Sequence, residues 1–286
     1  MKRRSRLLAP LAVFGTLSLA ALGRPAVLRL VHGSLPRFQY LATPLSPAAY
    51  DALAARPRWA KTSVTISDGV ALNGLVKRPA RGDAPWVLFF PGNDPSQLTA
   101  GQDVLERIAA ANDWGLVVYA NRGYDSSGGV PSPDAFREDG YRILMNVVQA
   151  EHVEPARLHV VAFSMGGYVS AAGVGRAARE QKVVGSYSTL AAVESMEMVH
   201  SLPLSRLFMG DIVETLPLLA DVPGPVLVQH GTDDKTLPVA QGKKIAEALG
   251  TRAEFHELPG VGHADMLTNG DALAAVRATI ETASRR

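Results

Sequence analysis

Three features far apart in the chain have the side chains of an acyl-transfer centre: Ser164, the carboxylate pair Asp233-Asp234, and His263. A serine hydroxyl is a weak nucleophile alone. It needs a base to take its proton, a group to orient that base, and donors for the oxyanion that forms when a carbonyl is attacked. Ser164 has the most informative surroundings, the stretch LHVVAFSMGGYVSA from Leu158 to Ala171. The run Leu158 to Phe163 is apolar except for His159 and too short for an independent helix, so it reads as a buried parallel strand. Ser164 then falls in a sharp turn before a helix. That turn would lift its oxygen above the sheet, with the Met165 N–H and the helix amino terminus facing the same space. Crowding in such a turn calls for small neighbours, and Ala162 and Gly166 flank Phe163-Ser164-Met165.

The rest of the chain supplies strands and helices in alternation. Thr62 to Pro79 alternates with period two around Asp68-Gly69, a hairpin signal. Trp86 to Phe90 and Gly115 to Ala120 are buried strands, the first followed by Pro91-Gly92-Asn93-Asp94 and the second by the loop Asn121 to Gly128. Val104, Leu105 and Ile108 mark a helix between them. Ser132 caps another, with Pro133 at its first position and Phe136, Gly140, Ile143, Leu144 and Val147 on one face. Val183 to Ser188, Val226 to Gln229 and Glu254 to Leu258 read as further strands, and Ala240 to Leu249 and Ala272 to Ser284 as helices. This alternation predicts an α/β protein with a doubly wound, mostly parallel sheet. In such a sheet a ligand site lies beyond the carboxyl ends of the strands. Ser164, His230-Gly231-Thr232-Asp233-Asp234 and Pro259-Gly260-Val261-Gly262-His263 all occupy such positions.

At 286 residues and 47% hydrophobic content the chain can bury one large core, and no linker divides it. The formal charge is +2, but Lys2, Arg3, Arg4 and Arg6 precede the first apolar run, leaving 25 basic against 27 acidic residues, 29 less those four. The chain carries no nucleic-acid footprint. With no cysteine, thiol nucleophiles, disulfides and thiolate metal sites are excluded. The cationic start and the apolar stretch Leu7 to Leu22 predict a signal peptide or membrane anchor over residues 1–23. As a helix, Leu7 to Gly23 would span roughly 25 Å, somewhat short of the ~30 Å hydrocarbon core. The expectation is a protein outside the cytoplasm, tethered to the membrane or released from it. Residues 24–60, with five prolines, read as a connector, and 61–286 as the catalytic domain.

From about Lys61 onward the chain resembles the α/β-hydrolase superfamily. The Ala162-Phe163-Ser164-Met165-Gly166 elbow, the H-G-x-x-D loop ending at Asp234 and the G-x-G-H loop ending at His263 carry that likeness in the order serine, acid, histidine. Asn121 to Gly128 is similar to the R-G-Y-G-x-S loop of the bud-emergence-protein-like branch, whose members are often membrane-tethered serine hydrolases. The chain departs from the family pattern at Pro91 (histidine is usual), Asp125 and Ala162 (glycines). The resemblance implies a triad of Ser164, Asp234 and His263, with Asp233 competing for the acid role. It also implies an oxyanion hole from the backbone N–H groups of Met165 and Asn93, and no cofactor or metal. The expected substrate is a small acyl ester or thioester, with amidase or peptidase chemistry as the alternative. Met196, Leu207, Phe208 and Met209, in a short apolar cap insertion between two strands, are candidates to line the acyl site or to pack as core. A metal site from His230, Asp233, His263 and Asp265 lacks a recognisable ligand spacing. A non-catalytic, membrane-tethered binding module is disfavoured because every triad position is filled. His256, alternating within its strand, reads as structural.

Overall fold

The computed structural model describes residues 41–195 and 213–285. The expected leader, residues 1–23, and the cap candidates Met196, Leu207, Phe208 and Met209 lie outside them. No helix among the described residues is long and apolar enough to cross a membrane.

In chain order the elements are α1 (Pro47–Ala54), β1 (Trp59–Thr65), β2 (Ala71–Lys77), β3 (Trp86–Phe90), α2 (Gln97–Ala109), β4 (Gly115–Tyr119), α3 (Pro133–Ala150), β5 (Leu158–Phe163), α4 (Gly166–Arg179), β6 (Ser186–Leu190), β7 (Val226–Gly231), α5 (Ala240–Leu249), β8 (Ala253–Leu258) and α6 (Gly270–Ala283). The strands form one eight-stranded sheet in the order β1-β2-β4-β3-β5-β6-β7-β8. The hairpin β1-β2 and the pair β2-β4 are antiparallel, and every later pair is parallel. The architecture is the expected doubly wound α/β sheet.

Burial explains the composition of each strand. Trp86–Phe90 and Leu158–Phe163 lie in the middle of the sheet, every residue is buried, and they are written almost wholly in apolar residues. β8 is an edge strand, and its residues are half-buried or exposed. His256 there pairs with Glu254 at the surface (2.7 Å). Helix α3 packs on α4, and α2 on α6. The hydroxyl of Ser132 caps α3 by accepting from the Ala135 amide, and the side chain of Asn269 caps α6 by accepting from the Ala272 amide.

Two stretches depart from the sequence reading. The segment expected as a connector contains helix α1 and the start of β1. Ser46 caps α1, Pro47 opens it, and Tyr50 and Leu53 are buried in the core. The Tyr50 hydroxyl also donates to the Gly74 carbonyl at 2.7 Å, fastening the helix to β2. The strand expected at Val183 to Ser188 is Ser186–Leu190 instead. Val183 is 45% exposed, while Ser186, Ser188 and Thr189 are buried, the reverse of what an apolar-run test selects.

Candidate active site

Strand β5 delivers Ser164 to the carboxyl end of the sheet in a left-handed backbone conformation, φ +52°. For a non-glycine residue this costs about 1–3 kcal/mol and persists only where neighbours enforce it. Here they do. The Ser164 amide donates to the Leu190 carbonyl (3.0 Å), and its own carbonyl accepts from Gly167 (3.0 Å) and Val193 (3.1 Å). Two glycines let the neighbouring backbone come close enough. A Cβ on Gly166 would sit 2.1 Å from the Phe90 carbonyl oxygen, and one on Gly92 would sit 2.9 Å from Ser164 Cβ. The loop after β3 is thus packed directly against the serine.

The loops after β7 and β8 bring the other two residues to it. Ser164 Oγ lies 3.0 Å from His263 Nε2, and His263 Nδ1 lies 2.6 Å from Asp234 Oδ2. Phe163 packs against the imidazole with ring centroids 4.9 Å apart. Asp234 is buried and accepts at Oδ1 from the amides of Thr236 (2.9 Å) and Leu237 (2.7 Å). Burial would raise its pKa, but hydrogen bonds from His230, His263 and the Leu237 amide outweigh that and hold the carboxyl well below the usual carboxylate range. Asp234 is therefore a fixed anion.

The competing carboxylate is not part of this line: Asp233 is exposed, and among the described residues its carboxylate accepts from the neighbouring Thr232 hydroxyl at 3.2 Å. His230 is buried behind Asp234, with Nε2 2.8 Å from the Leu237 carbonyl and 3.2 Å from Asp234 Oδ2. A carbonyl can only accept, so the His230 proton is on Nε2 and is shared toward the carboxylate. Among the described residues no group of three or more His, Asp or Glu side chains could hold a metal ion. The Asp265 carboxylate is instead turned to the Gly262 amide, at 3.2 Å.

The oxyanion candidates flank the serine. Met165 follows it directly at the head of α4, and Asn93 follows Gly92. The Asn93 side-chain oxygen accepts from the Tyr124 hydroxyl (2.5 Å) and from the Leu41 amide (2.8 Å), joining the loop after β3 to the loop after β4 and to the incoming chain. Asp125, which stands where the resembling loop has glycine, has φ +47°. Its carboxylate accepts from the Leu98 amide at 2.6 Å in the first turn of α2, so an aspartate is tolerated in a glycine-like conformation. The sequence reading missed Tyr124, Gln97 and the supporting role of His230. His230 carried a signal as the first residue of the H-G-x-x-D loop, and Tyr124 as the tyrosine of the R-G-Y-G-x-S-like loop; Gln97 carried none.

No protein-family model matches the chain. It is 28% identical over 208 residues, 71% of either chain, to an uncharacterized protein found in two strains of Mycobacterium tuberculosis. Among solved structures it is similar to an alpha-beta hydrolase from Vibrio vulnificus, with a TM-score of 0.68, 17% identity, and 82% and 85% of the two chains covered. It is also similar to an esterase from Pyrococcus furiosus (TM-score 0.65, 16% identity, 84% and 97% covered) and to one from Rhodococcus (0.61, 19%, 78% and 98%). The chain has the α/β-hydrolase fold.

Proposed function

We propose that the protein is a serine hydrolase that cleaves a carboxylic ester or thioester through an acyl-enzyme on Ser164. The observation that carries this is the unbroken line from Ser164 Oγ through both nitrogens of His263 to the buried, anionic Asp234. Asp234 holds the His263 proton on Nδ1 and leaves the Nε2 lone pair facing the serine. As Ser164 Oγ attacks the substrate carbonyl, its proton passes to Nε2 and the carbonyl electrons move onto the oxygen. The N–H groups of Met165 and Asn93 stabilise that oxyanion. Collapse breaks the bond to the leaving alkoxide or thiolate, which takes the proton from His263. Water then repeats the sequence on the acyl-enzyme, releasing the acid and restoring Ser164.

The strained serine backbone supports the same reading, since left-handed non-glycine residues cluster where geometry serves chemistry. The hydrolase and esterase names of the structural neighbours accord with it. Met196, Leu207, Phe208 and Met209 supply the apolar surface for the acyl chain in this proposal, and residues 1–23 hold the catalytic domain to the outer face of a membrane or direct its release.

A fluorophosphonate probe tests the central claim. The wild type should be labelled and Ser164→Ala should not; equal labelling of the two would remove Ser164 from its role. Fractionation of a carboxyl-terminally tagged chain, with sequencing of its amino terminus, tests the location. A soluble cytoplasmic protein that still begins at Met1 would refute both tethering and export.

A further inference from the structure

Gln97, the first residue of α2, is completely buried, yet its polar head is fully engaged. Its Nε2 donates to the Gly92 carbonyl at 2.6 Å, and its Oε1 accepts from the Asn121 amide at 2.7 Å. The second contact fixes the orientation of the first. An amide N–H can only donate, so the side-chain oxygen must face Asn121 and the NH₂ group must face Gly92. The Gly92 carbonyl belongs to the same peptide unit as the Asn93 N–H. In a planar trans peptide these two groups point in opposite directions, so a clamp on the carbonyl also sets the direction of the N–H.

We propose that Gln97 is a positioning residue for the oxyanion hole: by holding and polarising the Gly92–Asn93 peptide at its carbonyl, it aims and strengthens the Asn93 N–H. This rests on the hydrolase reading above. Glycine at 92 has no side chain to restrain its own peptide, and it cannot carry one because a Cβ would strike Ser164 and Phe163. The Asn93 side chain is held by Tyr124 and Leu41, and the carbonyl of the peptide must be held from outside the loop as well. Gln97 provides that hold from a helix end, anchored in turn to the loop after β4. A hydrogen bond accepted by a carbonyl polarises the whole peptide and makes its N–H a better donor, an effect that grows as oxyanion charge develops.

The test uses full-length Gln97→Met and Gln97→Glu with a p-nitrophenyl ester as substrate and a trifluoromethyl ketone as the probe that forms a tetrahedral adduct on serine. Met keeps the size but removes both contacts; Glu keeps the acceptor for Asn121 and loses the donor to Gly92 on ionisation, so its kcat is read at the alkaline end of the pH profile. The expected result is a fall in kcat of about 10- to 100-fold with KM within about twofold. Trifluoromethyl ketone affinity should fall by the same factor as kcat/KM. A loss carried by KM, or unchanged ketone affinity, would overturn the proposal.

A measurement on the unsubstituted protein stands even if both variants fail to fold. On adduct formation the Asn93 amide proton and the Gln97 side-chain proton facing Gly92 should both move downfield. A Gln97 proton that does not respond while the adduct forms would equally overturn it. If the wild type is neither labelled by the fluorophosphonate nor active on esters, the hydrolase reading itself fails; if it is both and the variants match it, the clamp alone is wrong.

Discussion

A histidine stands at each end of strand β5 with a serine hydroxyl against its ring, and the two have opposite characters. At the carboxyl end His263 lies between Ser164 and Asp234, with 16% of its side chain exposed. At the amino end His159 lies between Ser186 (2.9 Å) and Ser284 (3.1 Å) and is wholly buried. Among the described residues, only the first has a carboxylate, a serine in a strained backbone and access to solvent. His159 has none of these, and burial lowers its pKa from 6.5 to about 4, keeping it neutral. A histidine–serine contact is therefore as readily a core bolt as a catalytic pair. The anion behind the ring and the route in front of it make the difference.

The contrast breaks most severely at the serines. Ser164→Ala should lower kcat on the order of 10⁵-fold or more, measured with an activated ester, whereas Ser186→Ala should leave fluorophosphonate labelling intact. Loss of labelling in Ser186→Ala with the fold preserved would erase the distinction. Next in size is the carboxylate. Asp234→Asn should reduce kcat about 10³- to 10⁴-fold, because the wrong imidazole tautomer then faces Ser164, while Asp233→Asn should change it only severalfold. The reverse pattern would move the orienting role to Asp233.

A smaller, thermodynamic effect sharpens the comparison from the other end. Between about pH 6.5 and pH 4 the unfolded chain protonates His159 while the folded chain does not, so this residue costs the fold up to about 3 kcal/mol as pH falls. Asp125 opposes it. Burial raises its pKa from 3.8 to about 6, so below pH 6 the folded chain holds a proton that the unfolded chain releases down to 3.8, and stability rises as pH falls. Urea unfolding at pH 7 and pH 4.5 separates the two. Relative to wild type, His159→Gln should gain about 2–3 kcal/mol on acidification, and Asp125→Asn should lose about 2 kcal/mol. Parallel pH responses in all three proteins would refute both assignments. The smallest expected effect is the stability cost of Ser186→Ala, about 1 kcal/mol for the lost His159 bond, read from the same titrations at pH 7.

The reactive end was the more legible of the two in the sequence because its constraints are local. A small residue, a serine and a glycine in five positions, H-G-x-x-D and G-x-G-H each encode one turn after one strand, and chain order relates them. Gln97 escaped because its partners lie five residues before it and twenty-four after it, a relation no short window contains. Strand β6 was displaced because Ser186, Ser188 and Thr189 occupy buried positions where a hydrophobic run was sought. Helix α1 was hidden by the prolines around it, although Ser46-Pro47 is itself a helix-start signal.

The bond between the Leu41 amide and the Asn93 side chain bears on how the protein can be handled. It places Leu41 against the loop that packs on Ser164, while Ser284 lies against His159 at the far end of β5, about 16 Å along the strand. A fusion partner or solid support joined just before residue 41 would crowd the end of the sheet that holds Ser164. The same attachment made after Arg285 would leave the Ser164 end of the sheet clear of the surface that holds the protein.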